Sequence, residues 1–518
     1  MFRDSFYLTT PIYYVNSVPH LGTAYTTIAA DALARYRRMC GDDVHFLTGL
    51  DEHGQKVAQA ATENGTDPQA WVDAIAPKFI DAWKMLDISN DDFIRTTEDR
   101  HVRGAQAFLQ VLKDNGDLYQ GHYEGWYCVP DETFFTEEQL ADGKCPGCGR
   151  DVQFIREDNW FFRLSAYQER LLAHYEAHPE FVQPETRRNE VLSFVRGGLN
   201  DLSISRTTFT WGIPLPFDPE HVMYVWFDAL LNYVTAVGYG DPDRADEFAR
   251  RWPAQYHFVG KDIIRFHCVI WPAMLMAAGL ELPETVFAHG FLLTKGEKMS
   301  KSKGNAQAPA DLVAKFGVDA YRHYFLRDVQ FGVDGSISME GMVQRYNGDL
   351  ANDWGNLVSR LLNMTEKYCE GVAPAPPADA DATPDDLEIR TIARDLPAAY
   401  DAAMARLDYA GALEAAWTLI KRANRYIEDS APWNLAKSED TVPRLHAVLY
   451  HALESVRIAA LFTAPAMPET SAEVWRRLGL GDIAAVTDLD AAAAWGGLPA
   501  GSHIVKGDAL FPRIYEEG

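Results

Sequence analysis

The run Lys298-Met299-Ser300-Lys301-Ser302 lies in a loop, Lys295 to Asn305, that packs four lysines and two serine hydroxyls among small residues. Ammonium groups on such a loop neutralise charge developing on a polyphosphate, and Gly296 and Gly304 let the backbone swing over it. A lysine-rich stretch alone is as readily a solvated surface loop. About 275 residues earlier, however, Pro19-His20-Leu21-Gly22 opens a helical pattern, so His20 stands at a helix N-terminus. Unpaired amides and the helix dipole make that end an anion site. His20 and Lys301 together can hold a nucleoside triphosphate in line and stabilise charge on its α-phosphate and leaving pyrophosphate. No G-x-x-x-x-G-K-[ST] run occurs, which excludes a P-loop.

These groups need rigid elements behind them. Phe6 to Thr10 reads as a buried strand, and Val44 to Thr48 as a second. Between them Leu21, Tyr25, Ile28, Ala29, Ala32, Tyr36 and Met39 recur at helical spacing, with Gly41 as the stop. This is a βαβ start, the phosphate-binding half of a doubly wound fold. From about 116 to 225 the pattern breaks into aromatic- and glycine-rich short strands and turns, which predicts an insertion between two halves of a nucleotide-binding fold. The α/β rhythm resumes with Val222 to Trp226. It continues through a strand His257 to Val259, a helix over 262–278 and a strand Val286 to Ala288. Beyond about 350, alanine and leucine at helical spacing over 351–370, 387–428 and 441–464 predict a helix bundle, with a proline- and acid-rich loop from Ala373 to Asp386. No internal repeat is visible.

At 518 residues the chain requires two to four domains, and 47% apolar with 12% aromatic residues suits a soluble enzyme. There is no run of about 18 apolar residues and no signal-like start, so a cytoplasmic protein is expected. The net charge of −26 argues against a nucleic-acid partner. Much of the acid sits in stretches such as Asp379 to Glu388, though, and a local basic face can coexist with it. The six cysteines are too few for a disulfide scaffold, and Cys128, Cys145 and Cys148 cluster as metal ligands do.

The two loops, in this order, resemble the signatures of class I aminoacyl-tRNA synthetases. Four further segments narrow the resemblance: Thr9 to Asn16, Leu50-Asp51-Glu52-His53-Gly54, Tyr224 to Ala229, and Gly260 to His267 followed by Trp271-Pro272-Ala273. With His289-Gly290-Phe291, they resemble the methionyl-tRNA synthetase family along essentially the whole chain, in its bacterial type without a C-terminal dimerisation module. The resemblance implies a Rossmann-type parallel sheet with an inserted connective region and an all-α anticodon-binding bundle. The organisation expected is catalytic halves at 1–115 and 226–295, a connective insertion with a knuckle at 116–225, the lysine loop and stem-contact region at 296–349, and the helical domain at 350–518.

By the same resemblance, His20, Thr23, Lys298 and Lys301 would serve catalysis, and His20, Gly22, Lys261, Asp262 and Lys301 would bind ATP with its Mg2+, with Arg206 a further candidate on that side. Asp51 would pair with the substrate ammonium. Ile12, Tyr14, Trp226, Ala229, Tyr233, Ile263, His267 and Trp271 would line a methionine pocket, whose aromatic walls suit a polarizable thioether. Ile263 and Trp271 read equally well as ordinary core residues. Asn356 and Arg360, at i and i+4, would address bases of a tRNA(Met) anticodon beside a stacking Trp433, which is otherwise a buried helix-start aromatic. A monomer is expected, because the chain ends soon after the bundle.

Two departures stand out. The turn that often ends in a second histidine ends here in Thr23, which can donate a hydrogen bond but carries no charge. The knuckle spacing Cys128-x2-Asp131 and Cys145-Pro146-Gly147-Cys148 offers zinc three thiolates and one carboxylate, where a fourth cysteine is usual; the alternative is a knuckle held by packing alone. Sister enzymes for leucine, isoleucine or valine usually carry an editing insertion larger than the roughly 110 residues available. A cysteine-specific sister fits the pocket segments less well. A non-catalytic RNA-binding paralogue is the remaining alternative.

Overall fold

The computed structural model describes residues 5–15, 18–129, 133–294, 297–298 and 308–515. Asp131 and Lys301 lie outside these residues, and of Lys298 only the backbone is described, in the short strand Glu297–Lys298.

A six-stranded parallel sheet forms the core of the N-terminal half. Its central strand Ser5–Tyr14 pairs on one side with Asp43–Asp51 and on the other with Tyr256–Gly260. Asp92–Arg95 lies outside the first neighbour, and Thr285–His289 then Val182–Gln183 outside the second. The strand order therefore reverses direction at the boundary between Ser5–Tyr14 and Tyr256–Gly260, the place where such sheets open a ligand crevice at their C-terminal ends. The insertion feeds Val182–Gln183 back to the edge of this sheet. It also holds an antiparallel sheet built on Leu118–Cys128 and Gln153–Phe162, together with two helices, Gln168–Ala177 and Glu185–Arg196, that its aromatic-rich sequence does not announce.

One predicted element is corrected and two stretches are resolved into their elements. The α/β rhythm expected from Val222 to Trp226 resolves into the end of a strand, Asp218–Met223, in a small antiparallel sheet outside the parallel one, and the start of a helix, Val225–Leu230. The helix expected over 262–278 is broken into a tight turn at Lys261–Ile263, a wide π-helical turn at Phe266–Ile270 and an α-helix, Trp271–Ala278. Pro272 has no N–H for the Cys268 carbonyl. The Tyr175 hydroxyl donates to that carbonyl instead, from the insertion. The stretch 387–428 is two antiparallel helices, Pro384–Met404 and Tyr409–Ser430, with Leu407 at φ 56° in the turn.

Beyond Asn356 the chain is helical, and its packing is continuous with one face of the sheet. Val442–Thr463 is the one described helix long and apolar enough to cross a membrane, and it is buried in the centre of the bundle. The bundle grips the helix Leu21–Met39 along its length. Tyr409 donates to the Ala29 carbonyl (2.7 Å) and Tyr36 to Asp401 Oδ1 (2.8 Å). Arg322, fully buried, bonds Asp31 Oδ2 at 2.6 Å and the carbonyls of Leu86, Pro465 and Ala466 at 3.0 Å each.

Candidate active site

The anion end of the crevice is built by the cap of helix Leu21–Met39. His20 Nδ1 accepts from the amides of Gly22 (3.1 Å) and Thr23 (3.3 Å). An accepting Nδ1 carries no proton, so the neutral ring holds its proton on Nε2, where it can serve an anion. Thr23 completes a capping box: its hydroxyl donates to the His20 carbonyl (2.8 Å) and accepts from the His20 amide (3.0 Å). A Cβ at Gly22 would stand 3.0 Å from the His20 ring, so any larger residue there would crowd it. The helix start is held from below by Tyr13, which bonds Thr27 Oγ1 at 2.7 Å, and from the side by His289 Nε2, 2.6 Å from Thr26 Oγ1.

Alternation along the central strand sends Tyr13 under that helix and Ile12 and Tyr14 to the opposite face. There Ile12, Tyr14, Trp226 and Ile263 pack against a buried cluster that contains Tyr233 and Trp271. Trp226 stacks on Phe266 at 3.9 Å, Ala229 lies buried three residues on, and the wide turn Phe266–Ile270 places His267 inside. His267 Nδ1 donates to the Ile263 carbonyl (3.0 Å), leaving Nε2 to accept from the Tyr233 hydroxyl at 2.7 Å. Burial pushes the His267 pKa down to about 4, so the ring is neutral at physiological pH. Asp51 is buried at the C-terminal end of its strand, in register with Tyr14.

Sequence reasoning missed a supporting layer. His257 stacks on Tyr233 at 4.2 Å, accepts from Trp271 Nε1 (3.2 Å) and bonds Thr9 Oγ1 (2.7 Å). Asp228 is fully buried between His53 Nδ1 and His101 Nε2, each at 2.7 Å. Burial alone would raise its pKa, yet the two facing imidazoles hold it below the usual carboxylate range. Glu52 accepts from Arg95 Nε (2.7 Å) and from the Thr97 hydroxyl. Only the Trp-Phe-Asp and Asp-Glu-His motifs hinted at any of these groups.

At the rim, Lys261 Nζ bonds both oxygens of Asp334 at 2.7 Å and lies over the Phe291 ring, so its charge is neutralised here. Asp262 is exposed beside it. Arg206 is buried, bonded to the Ser203 hydroxyl and the Ser205 carbonyl, with its guanidinium over Tyr224. In the insertion the sulfurs of Cys128, Cys145 and Cys148 lie within 4.8 Å of one another. On the bundle, Asn356 is exposed, Arg360 reaches Glu428 at 3.5 Å, and Trp433 is 42% exposed on the short helix Pro432–Leu435.

A reversing parallel sheet with a histidine-capped helix at its crevice, followed by a helix bundle, defines a class I aminoacyl-tRNA synthetase. The family profile described as tRNA synthetases class I (M) matches residues 6–154 and 150–362, and that of the anticodon binding domain of methionyl tRNA ligase matches residues 376–518. The chain belongs to the methionyl-tRNA synthetase family. The methionine–tRNA ligase of Thermotoga maritima is 50% identical over 98% of this chain and 80% of its own length. That of Caldanaerobacter subterraneus is 49% identical over 99% of this chain and 79% of its own. A Mycobacterium tuberculosis methionyl-tRNA synthetase in complex with methionyl-adenylate superposes with a TM-score of 0.94 at 46% identity, covering 99% of this chain and 100% of that one.

Proposed function

We propose that this chain is a methionine–tRNA ligase. The methionine carboxylate attacks the α-phosphate of ATP, whose Mg2+ enters as part of the substrate, to give methionyl-adenylate and pyrophosphate. A ribose hydroxyl at the end of tRNA(Met) then takes the methionyl group and releases AMP. The observation that carries the reading is the pairing of two unlike ends across one crevice. An aromatic cluster around a neutral His267 follows strand Tyr256–Gly260, and the capped His20 follows the adjacent strand Ser5–Tyr14. The first suits an uncharged thioether, the second a polyphosphate.

In this reading Asp51 holds the substrate ammonium. Ile12, Tyr14, Trp226, Ala229, Tyr233, Ile263, His267 and Trp271 surround the side chain. The Nε2 proton of His20 and the ammonium of Lys301 stabilise the α-phosphate as charge builds, assisted by Lys298. Gly22, Lys261 and Asp262 border the ATP. Thr23, whose hydroxyl is committed to the His20 main chain, acts by fixing the ring.

The three sulfurs suit a tetrahedral zinc, in which thiolates about 2.3 Å from the metal stand about 3.8 Å apart. Asp131 would be the fourth ligand, and zinc would brace the knuckle without entering the reaction. Asn356, Arg360 and Trp433 meet the anticodon. A monomer in the cytoplasm is the form proposed: the large exposed apolar side chains are scattered along the described chain.

Methionine-dependent exchange of pyrophosphate into ATP tests the whole reading; exchange driven by another amino acid, or none at all, would discard it. Lys301→Ala should cut exchange strongly while methionine binding by calorimetry survives, and equal loss of both would remove Lys301 from the transition state.

A further inference from the structure

We infer that Asp228 is a positioning residue for the amino-acid site, a strut that ties the loop carrying Asp51 to the helix carrying Trp226 and Ala229. Asp51 is followed two residues later by His53, whose Nδ1 bonds Asp228 Oδ2 at 2.7 Å. Asp228 lies two residues after Trp226 and one before Ala229, on the helix Val225–Leu230. Its other oxygen is held at 2.7 Å by His101 Nε2, from the helix Asp99–Asp114, and His101 Nδ1 is fixed in turn by Thr235 Oγ1 at 2.8 Å. The same loop is tied to the insertion, through Trp211 Nε1 on the Glu52 carbonyl (2.7 Å) and the Gly54 amide on the Trp211 carbonyl (3.2 Å). Those bonds fix it toward the insertion; the Asp228 carboxylate fixes it toward the pocket wall.

The chemistry of the strut separates geometry from charge. In the tautomer with its proton on Nε2, His101 donates to the carboxylate and Nδ1 accepts from Thr235. An asparagine at 228 reverses the second half: its amide donates to Nε2, and Nδ1–H donates to the threonine hydroxyl, which can do either. Its amide oxygen still accepts from His53. Asp228→Asn therefore keeps the strut while removing the charge, whereas Asp228→Ala leaves two buried imidazole N–H groups without acceptors.

The inference rests on the reading of Asp51 as the ammonium contact, so Asp51→Asn is measured in the same pyrophosphate-exchange assay. Asp228→Ala should raise the methionine KM about tenfold or more while the ATP KM stays within about twofold, and Asp228→Asn should recover most of that loss. His53, at the edge of the buried region, gives a second pair if Asp228→Ala fails to fold: His53→Leu should repeat the methionine-specific rise, and His53→Asn, which offers an amide N–H near the Nδ1 position, should reverse it. A lowered Tm with an unchanged methionine KM in Asp228→Ala or His53→Leu would overturn the strut, as would an Asp228→Asn as impaired as Asp228→Ala. An Asp51→Asn with native methionine KM would overturn the ammonium assignment itself, independently of the outcome at 228.

Discussion

Burial lowers the pKa of two histidines, one beside the crevice of the sheet and one in the insertion, and this has a thermodynamic signature. His267 and His174 are both held down to about 4, burial being the first cause in each, against an ordinary value near 6.5. Between those values the unfolded chain binds protons that the folded protein refuses, so stability falls as pH drops from about 6.5 toward 4. Asp319 acts in the opposite sense. Burial pushes it up to about 6, so its contribution is present at low pH and is lost as pH rises toward 6. His267→Gln should accordingly destabilise less at pH 5 than at pH 7 in urea unfolding, whereas Asp319→Asn should gain on the native protein as pH rises. The first layer proposed for this site could be named from the sequence, because Asp51, Trp226 and His267 sit in local motifs. The second layer could not. Thr9 and His257 are 248 positions apart, and His101 and Asp228 are 127 apart, so no local pattern marks them as partners.

The helix Leu21–Met39 links the sheet's crevice to the bundle, with His20 as its cap and bundle residues bonded to it at Ala29 and Tyr36. Its Asp31 carboxylate is held near 2 despite full burial, because Arg322 and Arg35 face it and Ser89 donates to it. Arg322→Met should cost about 3–5 kcal/mol in urea unfolding at neutral pH, since it leaves a buried carboxylate short of a partner and several carbonyls without a donor. A loss below about 1 kcal/mol would mean that Arg35 and Ser89 suffice. Elements with clean periodicity, such as this helix and the parallel strands, were readable from sequence. The failures have physical causes. Val222 to Trp226 is a short apolar run, which fits strand and helix alike. The break between Met404 and Tyr409 uses Leu407 in a left-handed conformation, with no glycine or proline to announce it.

For the molecule as a whole, a net charge of −26 means that the tRNA recognition proposed must be local. Trp433, expected from the resemblance to stack on an anticodon base and otherwise to be a buried helix start, is exposed, which is what a base-stacking platform requires. Trp433→Ala should lower tRNA charging, leave pyrophosphate exchange intact and move stability by no more than about 0.5 kcal/mol; a parallel loss of exchange would make it a structural residue. Elemental analysis should find about one zinc per chain, in keeping with a three-thiolate site, and well under one would leave the knuckle to packing.

The strand order carries a consequence for how the protein is made. Ser5–Tyr14 finds its first neighbour within some forty residues but waits for Tyr256–Gly260 to gain its second, and Thr26 waits for His289. At about 5–20 residues per second on the ribosome, that wait lasts on the order of ten to fifty seconds. The nascent chain thus presents a half-built sheet with one open edge for much of its synthesis. Neither the aromatic cluster around His267 nor the anchored His20 cap is complete until more than half of the polypeptide has emerged.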